Sequence, residues 1–154
     1  MTKLRQFVER YSEHDATAVR FAWNGKHGDD LKDDNADFRD ELLGHFLDHK
    51  DSFPVALLRD LYDAETAYAR EAWVIDLRVG KLAQEMLIRD GKSSLDVYAK
   101  GLIRSMDTYA TAGRIDLPED LRRTLAEECA ARIARASSVA ERKSYQAARD
   151  VFSK

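Results

Sequence analysis

The sequence predicts an all-α fold: one domain over residues 1–154, a bundle of about five to seven helices with one long acidic loop near residues 24–35. Three observations carry that expectation. Apolar residues recur at three- and four-residue spacing along most of the chain. Only seven Gly and two Pro interrupt it, too few for a fold of short strands and tight turns. Ala, Leu, Arg, Glu and Lys, the strong helix formers, are abundant.

Thr2 is placed to cap a first helix, with Leu4, Phe7, Val8, Tyr11, Ala18, Val19, Ala22 and Trp23 as its apolar stripe. Asp15 fills the slot between Tyr11 and Ala18, which points to a break near Ser12. Residues 24–35, Asn-Gly-Lys-His-Gly-Asp-Asp-Leu-Lys-Asp-Asp-Asn, follow neither period and form a loop that is long for a helical bundle. A second helix is expected from about Ala36 to Lys50, with Phe38, Leu42, His45, Phe46 and His49 on one side. Pro54 opens a third segment, whose stripe runs to Arg89 as one helix or as two with a bend near Asp63–Thr66. Gly91 ends it.

Ser93 and Asp96 resemble a capping pair for the next helix, which closes at Gly113. Asp116-Leu117-Pro118-Glu119 combines a cap residue, a first-turn proline and an acid, and predicts a helix to about Ala136. Ser138 with Glu141 gives a capping box for the last helix, carrying Tyr145, Ala148 and Phe152. No internal repeat or low-complexity tract is visible.

The charge is rich but balanced, 25 Lys and Arg against 28 Asp and Glu, for a net of −3. A nucleic-acid binder normally shows a basic excess, so none is expected as a partner. No stretch approaches the ~20 apolar residues of a membrane helix. The first residues lack the apolar run of a signal peptide, and a single cysteine, Cys129, cannot form an internal disulfide. A soluble, cytoplasmic protein of bacterial type is the expectation.

No catalytic or cofactor pattern is complete in the chain. Glu41, His45 and His49 lie at four-residue steps on one helix face, where a carboxylate and two imidazoles can share a zinc ion. The zinc-protease pattern needs a Glu directly after the first His, and Phe46 stands there. Di-iron bundles need a Glu three residues before a His, and none of the four histidines has one. Asp33-Asp34-Asn35-Ala36-Asp37 begins like a calcium loop, but Phe38 and Gly44 occupy the positions that require Gly and Glu. His14-Asp15 lacks the earlier histidine that a helical metal phosphohydrolase would need. Cys129 falls between Leu125 and Ile133 on an apolar stripe, as a buried thiol does. No phosphate loop, nucleophile elbow or Cys-x-x-Cys pair appears. No cofactor, no metal and no enzymatic activity are expected.

What remains is the distribution of charge. Residues 28–51 hold nine acids against three bases, a local −6 that is twice the net charge of the chain. Such a field steers association with a basic partner. The candidate contact residues are Asp29, Asp30, Asp33, Asp34, Asp37, Asp40 and Glu41, joined by Tyr62 and Trp73, aromatics that do not share one helical face with Tyr68. By analogy of class alone, a small bacterial inhibitor of the immunity-protein or antitoxin type fits these features. Two other readings stand beside it: a metal-binding helical enzyme or sensor built on Glu41, His45 and His49, and a regulatory or structural homo-oligomer paired through residues 54–89.

Overall fold

The structure, a computed structural model, describes residues 2–154. Among them it contains eight α-helices and no strand. These are α1 (Lys3–Glu9), α2 (Ala36–His49), α3 (Val55–Ala72), α4 (Val79–Asp90), α5 (Leu95–Leu102), α6 (Met106–Ala112), α7 (Glu119–Arg135) and α8 (Val139–Phe152), joined in places by 3-10 turns. No helix among the described residues is long and apolar enough to cross a membrane. α3 runs through the centre and packs against α4, α5 and α6, while α7 and α8 form a hairpin that leans on α5. Leu57, Leu58, Leu61 and Tyr62 of α3 are fully buried, so its apolar face is used inside the chain and is not free for pairing along its length.

Two elements start where their sequence signals put them. Thr2 accepts the Arg5 N–H at the start of α1, and Ser138 accepts the Glu141 N–H at the start of α8. Glu141 answers one residue early, accepting from the backbone and hydroxyl of Ser137. The break after α1 is also where Asp15 implied it. The Asp15 carboxylate accepts the Ser12 N–H and begins a 3-10 helix, Glu13–Ala18, instead of continuing α1.

Other boundaries differ from the sequence expectation. The 55–89 segment is two helices, but the break lies at residues 73–78 and not at Asp63–Thr66. Thr66 does not interrupt α3 because its hydroxyl folds back onto the Tyr62 and Asp63 carbonyls. α5 begins at Leu95 after a 3-10 turn, and Ser93 with Asp96 does not cap it. Instead, Ser94 donates its hydroxyl to Asp90 at 2.5 Å, and Asp96 pairs with Arg59. Residues 95–112 split into α5 and α6 because Ser105 caps a new helix reciprocally with Thr108. Pro118 occupies the cap position of α7 itself, while the Asp116 N–H is taken by Gln84. These splits bring the helix count to eight.

The 24–35 segment is an ordered turn. Trp23 and Asp33 bridge antiparallel, the Asn24 N–H donates to the Lys32 carbonyl, and Trp23 Nε1 donates to the Lys26 carbonyl. Cys129 is buried, and burial pushes its thiol up to about 12, which leaves it unreactive.

Candidate functional site

One buried arginine organises the acidic end of the molecule. Arg39 lies one turn before Leu42 and Leu43 on the inward face of α2, and its side chain is 1% exposed. Nη2 donates to Asp33 Oδ2 at 2.5 Å, and Nη1 donates to the carbonyls of Val19 and Arg20 at 3.2 Å. Asp33 in turn accepts the N–H groups of Ala22 and Asn35, and Asn35 donates to the carbonyls of Thr17 and Arg20. The loop is therefore held by a polar network that satisfies its own backbone.

This network removes Asp33 from the contact surface that its position in an acidic run suggested. Its side chain is 0% exposed, and a partner cannot reach it. Tyr62 is removed as well. It is fully buried, stacks on Tyr98 and donates its hydroxyl to the Tyr98 carbonyl at 2.7 Å. Asp29, Asp30, Asp34, Asp37, Asp40 and Glu41 do face solvent. Of these six, only Asp40 forms an ion pair with a described residue, Arg78. The other five carboxylates have no ion-pair partner among the described residues.

Beside them lies an apolar projection. Trp73, Val74 and Leu77, in the connection between α3 and α4, are 70%, 57% and 80% exposed. Trp73 closes α3 in the left-handed conformation (φ 61°), where glycine is the usual residue, and donates its N–H to Ala69. A bulky side chain held there is a backbone outlier of the kind that gathers at functional sites. The indole stacks over His27, at 6.1 Å and 4° between ring planes, and lies against Gly28. A Cβ on Gly28 would come within 2.8 Å of the indole and push it aside, and Gly28 has φ +56°, the left-handed region that favours glycine. His27 also meets Glu71 at 2.9 Å. The acidic loop and the Trp73 projection are thus one surface.

Between them, a cleft of about 340 Å3 opens among Asp37, Asp40, Glu65, Tyr68, Val74 and Asp76. Glu65 is its unusual member. It lies on the buried stripe of α3 between Leu61 and Ala69, and its side chain is 9% exposed. Its nearest cation is Arg39 Nε, 3.7 Å away. Burial pushes the Glu65 carboxyl up to about 7, against the opposing pull of Arg39. Asp76 moves the other way: hydrogen bonds from Arg78 hold it below the usual carboxylate range. Sequence reasoning treated Glu65 only as a place where α3 could bend. Its spacing with Leu61 and Ala69, and that of Arg39 with Leu42 and Leu43, was the available signal for two charged groups facing inward.

The histidine cluster is less organised. His45 and His49 stand with ring centroids 4.5 Å apart, and His45 Nε2 is buried without a hydrogen-bond partner. Burial, followed by the neighbouring His49, lowers the His45 pKa. Among the described residues no three His, Cys, Asp or Glu side chains gather in a way that could hold a metal ion, and Glu41 does not complete a site with the two histidines.

No protein-family model matches the chain, and neither a curated protein nor a solved structure matches it.

Proposed function

We propose that this chain is a non-enzymatic protein-binding module that docks a basic partner on the face formed by α2, the 24–35 loop and the Trp73–Leu77 projection. Its expected role is inhibition of that partner, in the manner of a small immunity or antitoxin protein of the cytoplasm. The observation that carries the proposal is the exposed, left-handed Trp73 bordered by carboxylates that have no ion-pair partner among the described residues. An aromatic anchor supplies binding energy at the centre of an interface, and surrounding charge supplies steering and specificity. Neither nucleic acid nor membrane suits so acidic a face.

Association kinetics with a partner captured by photo-cross-linking at this face test the proposal. Reversing Asp34, Asp37 and Glu41 to Lys is expected to lower the association rate about tenfold or more at low salt, with the difference shrinking at high salt. These three are exposed and have no ion-pair partner among the described residues, so the fold should persist, at a cost of about 0.3–1 kcal/mol for losing Asp37 from the first turn of α2. Asp33 is left alone because it is structural. Trp73→Ala is expected to act on dissociation instead, weakening the complex by about 2 kcal/mol or more. Wild-type rates in both variants would refute the docking surface.

A second reading has one observation in its favour. A carboxyl held up and another held down in the same cleft, Glu65 and Asp76, is the split that acid–base catalysis uses. Turnover of a glycoside or ester panel that disappears in Glu65→Gln would favour that reading over a binding module.

A further inference from the structure

The cleft beside Trp73 has the chemistry of a receptor for one side chain. Its floor holds Glu65, whose carboxylate accepts no hydrogen bond from any described residue, although its side chain is more than nine-tenths buried. Among the described residues the only cation within ion-pair distance of it is Arg39, and that guanidinium is already committed: Nη1 and Nη2 serve Val19, Arg20 and Asp33. Arg39 Nε faces Glu65 at 3.7 Å, beyond hydrogen-bond reach, and has no partner of its own. Glu65 therefore leaves acceptor capacity unspent at the bottom of an open cleft, which a donor entering from solvent can use, whereas Arg39 Nε, itself a donor, stays as it is.

The walls and rim indicate what would use it. Tyr68, Val74 and Ile75 give an apolar lining of the sort that covers the methylene stem of a long charged side chain. Asp37, Asp40 and Asp76 stand around the opening. Arg78 is held by Asp40 and Asp76, as Arg39 is by Asp33. With Glu65 ionised, five carboxylates face two guanidinium groups, so an anion would be repelled and a cation drawn in. The volume is at the small end of ligand clefts, roughly 300–1,000 Å3, and suits one side chain better than a cofactor.

We propose that this cleft is a socket for a single cationic side chain, a lysine or arginine of the partner protein, which lies along Tyr68 and ion-pairs with Glu65 at the floor. The socket rests on the docking face described above, and it adds a pH dependence to it. The charged groups facing Glu65 are Arg39 from α2, Asp33 from the loop, and Asp76 and Arg78 from the α3–α4 connection, with Tyr68 in the wall and Asp37 and Asp40 at the rim. Glu65 holds its proton up to about pH 7 in the free protein, and an entering cation expels it. Affinity therefore rises with pH until Glu65 is ionised, then levels off.

The test uses the full chain with 13C-labelled glutamate carboxyls, the Glu65 resonance being identified by its loss in Glu65→Gln. The probes are the capped tripeptides Ac-Gly-Arg-Gly-NH2, Ac-Gly-Lys-Gly-NH2 and Ac-Gly-Gln-Gly-NH2, each titrated at pH 6 and pH 8. The cationic peptides are expected to saturate a shift of the Glu65 resonance in the millimolar range and to bind about tenfold more tightly at pH 8. The glutamine peptide should leave the resonance unmoved, and the tighter of the two cationic peptides identifies the preferred side chain. No saturable shift, an equal shift with the glutamine peptide, or an affinity independent of pH would each overturn the socket. If the peptides leave Glu65 untouched while the Asp34, Asp37 and Glu41 reversal still slows the partner, the socket alone is wrong. If the peptides bind but the reversal changes nothing, the cleft takes a cationic side chain, but the docking face is wrong and the partner does not supply that side chain through it.

Discussion

Replacing Arg39 by alanine is expected to destabilise the fold by about 3–5 kcal/mol, the usual consequence of stripping one partner from a buried ion pair. The loss has two parts. The Asp33 carboxylate would remain fully buried with no cation beside it, and the carbonyls of Val19 and Arg20 would lose donors that water is poorly placed to replace. Arg39→Lys should recover only part of this, because one ammonium cannot reach a carboxylate and two carbonyls in the fork geometry of a guanidinium. Urea unfolding at neutral pH measures the loss, with the midpoint moving and the slope unchanged. A shift equivalent to less than about 1 kcal/mol would mean that the 19–35 segment is not held by this network.

Glu65→Gln is expected to stabilise the protein above about pH 4.5, by an amount that grows with pH and levels off above about pH 7. The carboxyl has an ordinary value of 4.5 and is pushed up to about 7 in the fold by burial. A group whose folded value is raised binds its proton more tightly when folded, so the wild type loses stability as pH climbs from about 4.5 through about 7 and stays lower above that. At 1.4 kcal/mol per unit, the penalty removed by glutamine at pH 8 is on the order of 3 kcal/mol. At pH 4 the two proteins should be nearly equal. Unfolding curves at pH 4, 6 and 8 check this, and a variant no more stable than wild type at pH 8 would refute the raised Glu65. A buried acid retained against stability is what a binding or reacting role predicts.

The two predictions concern residues that sequence reasoning weighed differently. α2 was legible because its stripe, Phe38, Leu42 and Phe46, is regular, and α8 because Ser138 supplies a side-chain cap. The break between α3 and α4 was not legible, because the left-handed position that ends α3 carries Trp73 in place of the glycine that normally marks it. The acidic run gave the right face but not the role of each acid. Asp33 and Asp34 are adjacent and identical in type, yet one is the buried partner of Arg39 and the other faces solvent. That division depends on Arg39 and the 19–20 carbonyls meeting in space, which no spacing in the chain reports. Tyr62 looked surplus to one helical face because α3 is surrounded: α5 supplies the second surface through Tyr98. Trp73, chosen by the same reasoning, does project to solvent because α3 has ended there.

The docking face can be interrogated directly by a photo-reactive amino acid placed at Asp37, at Val74, or at the exposed Arg123 of α7, in cells of the source organism. Irradiation followed by mass spectrometry identifies whatever protein lies against each position. The proposed docking predicts one basic protein joined through positions 37 and 74 and absent from position 123, with the yield at 37 falling when Asp34 and Glu41 are reversed. The same protein captured equally from all three positions, or an acidic protein captured at 37 and 74, would contradict it.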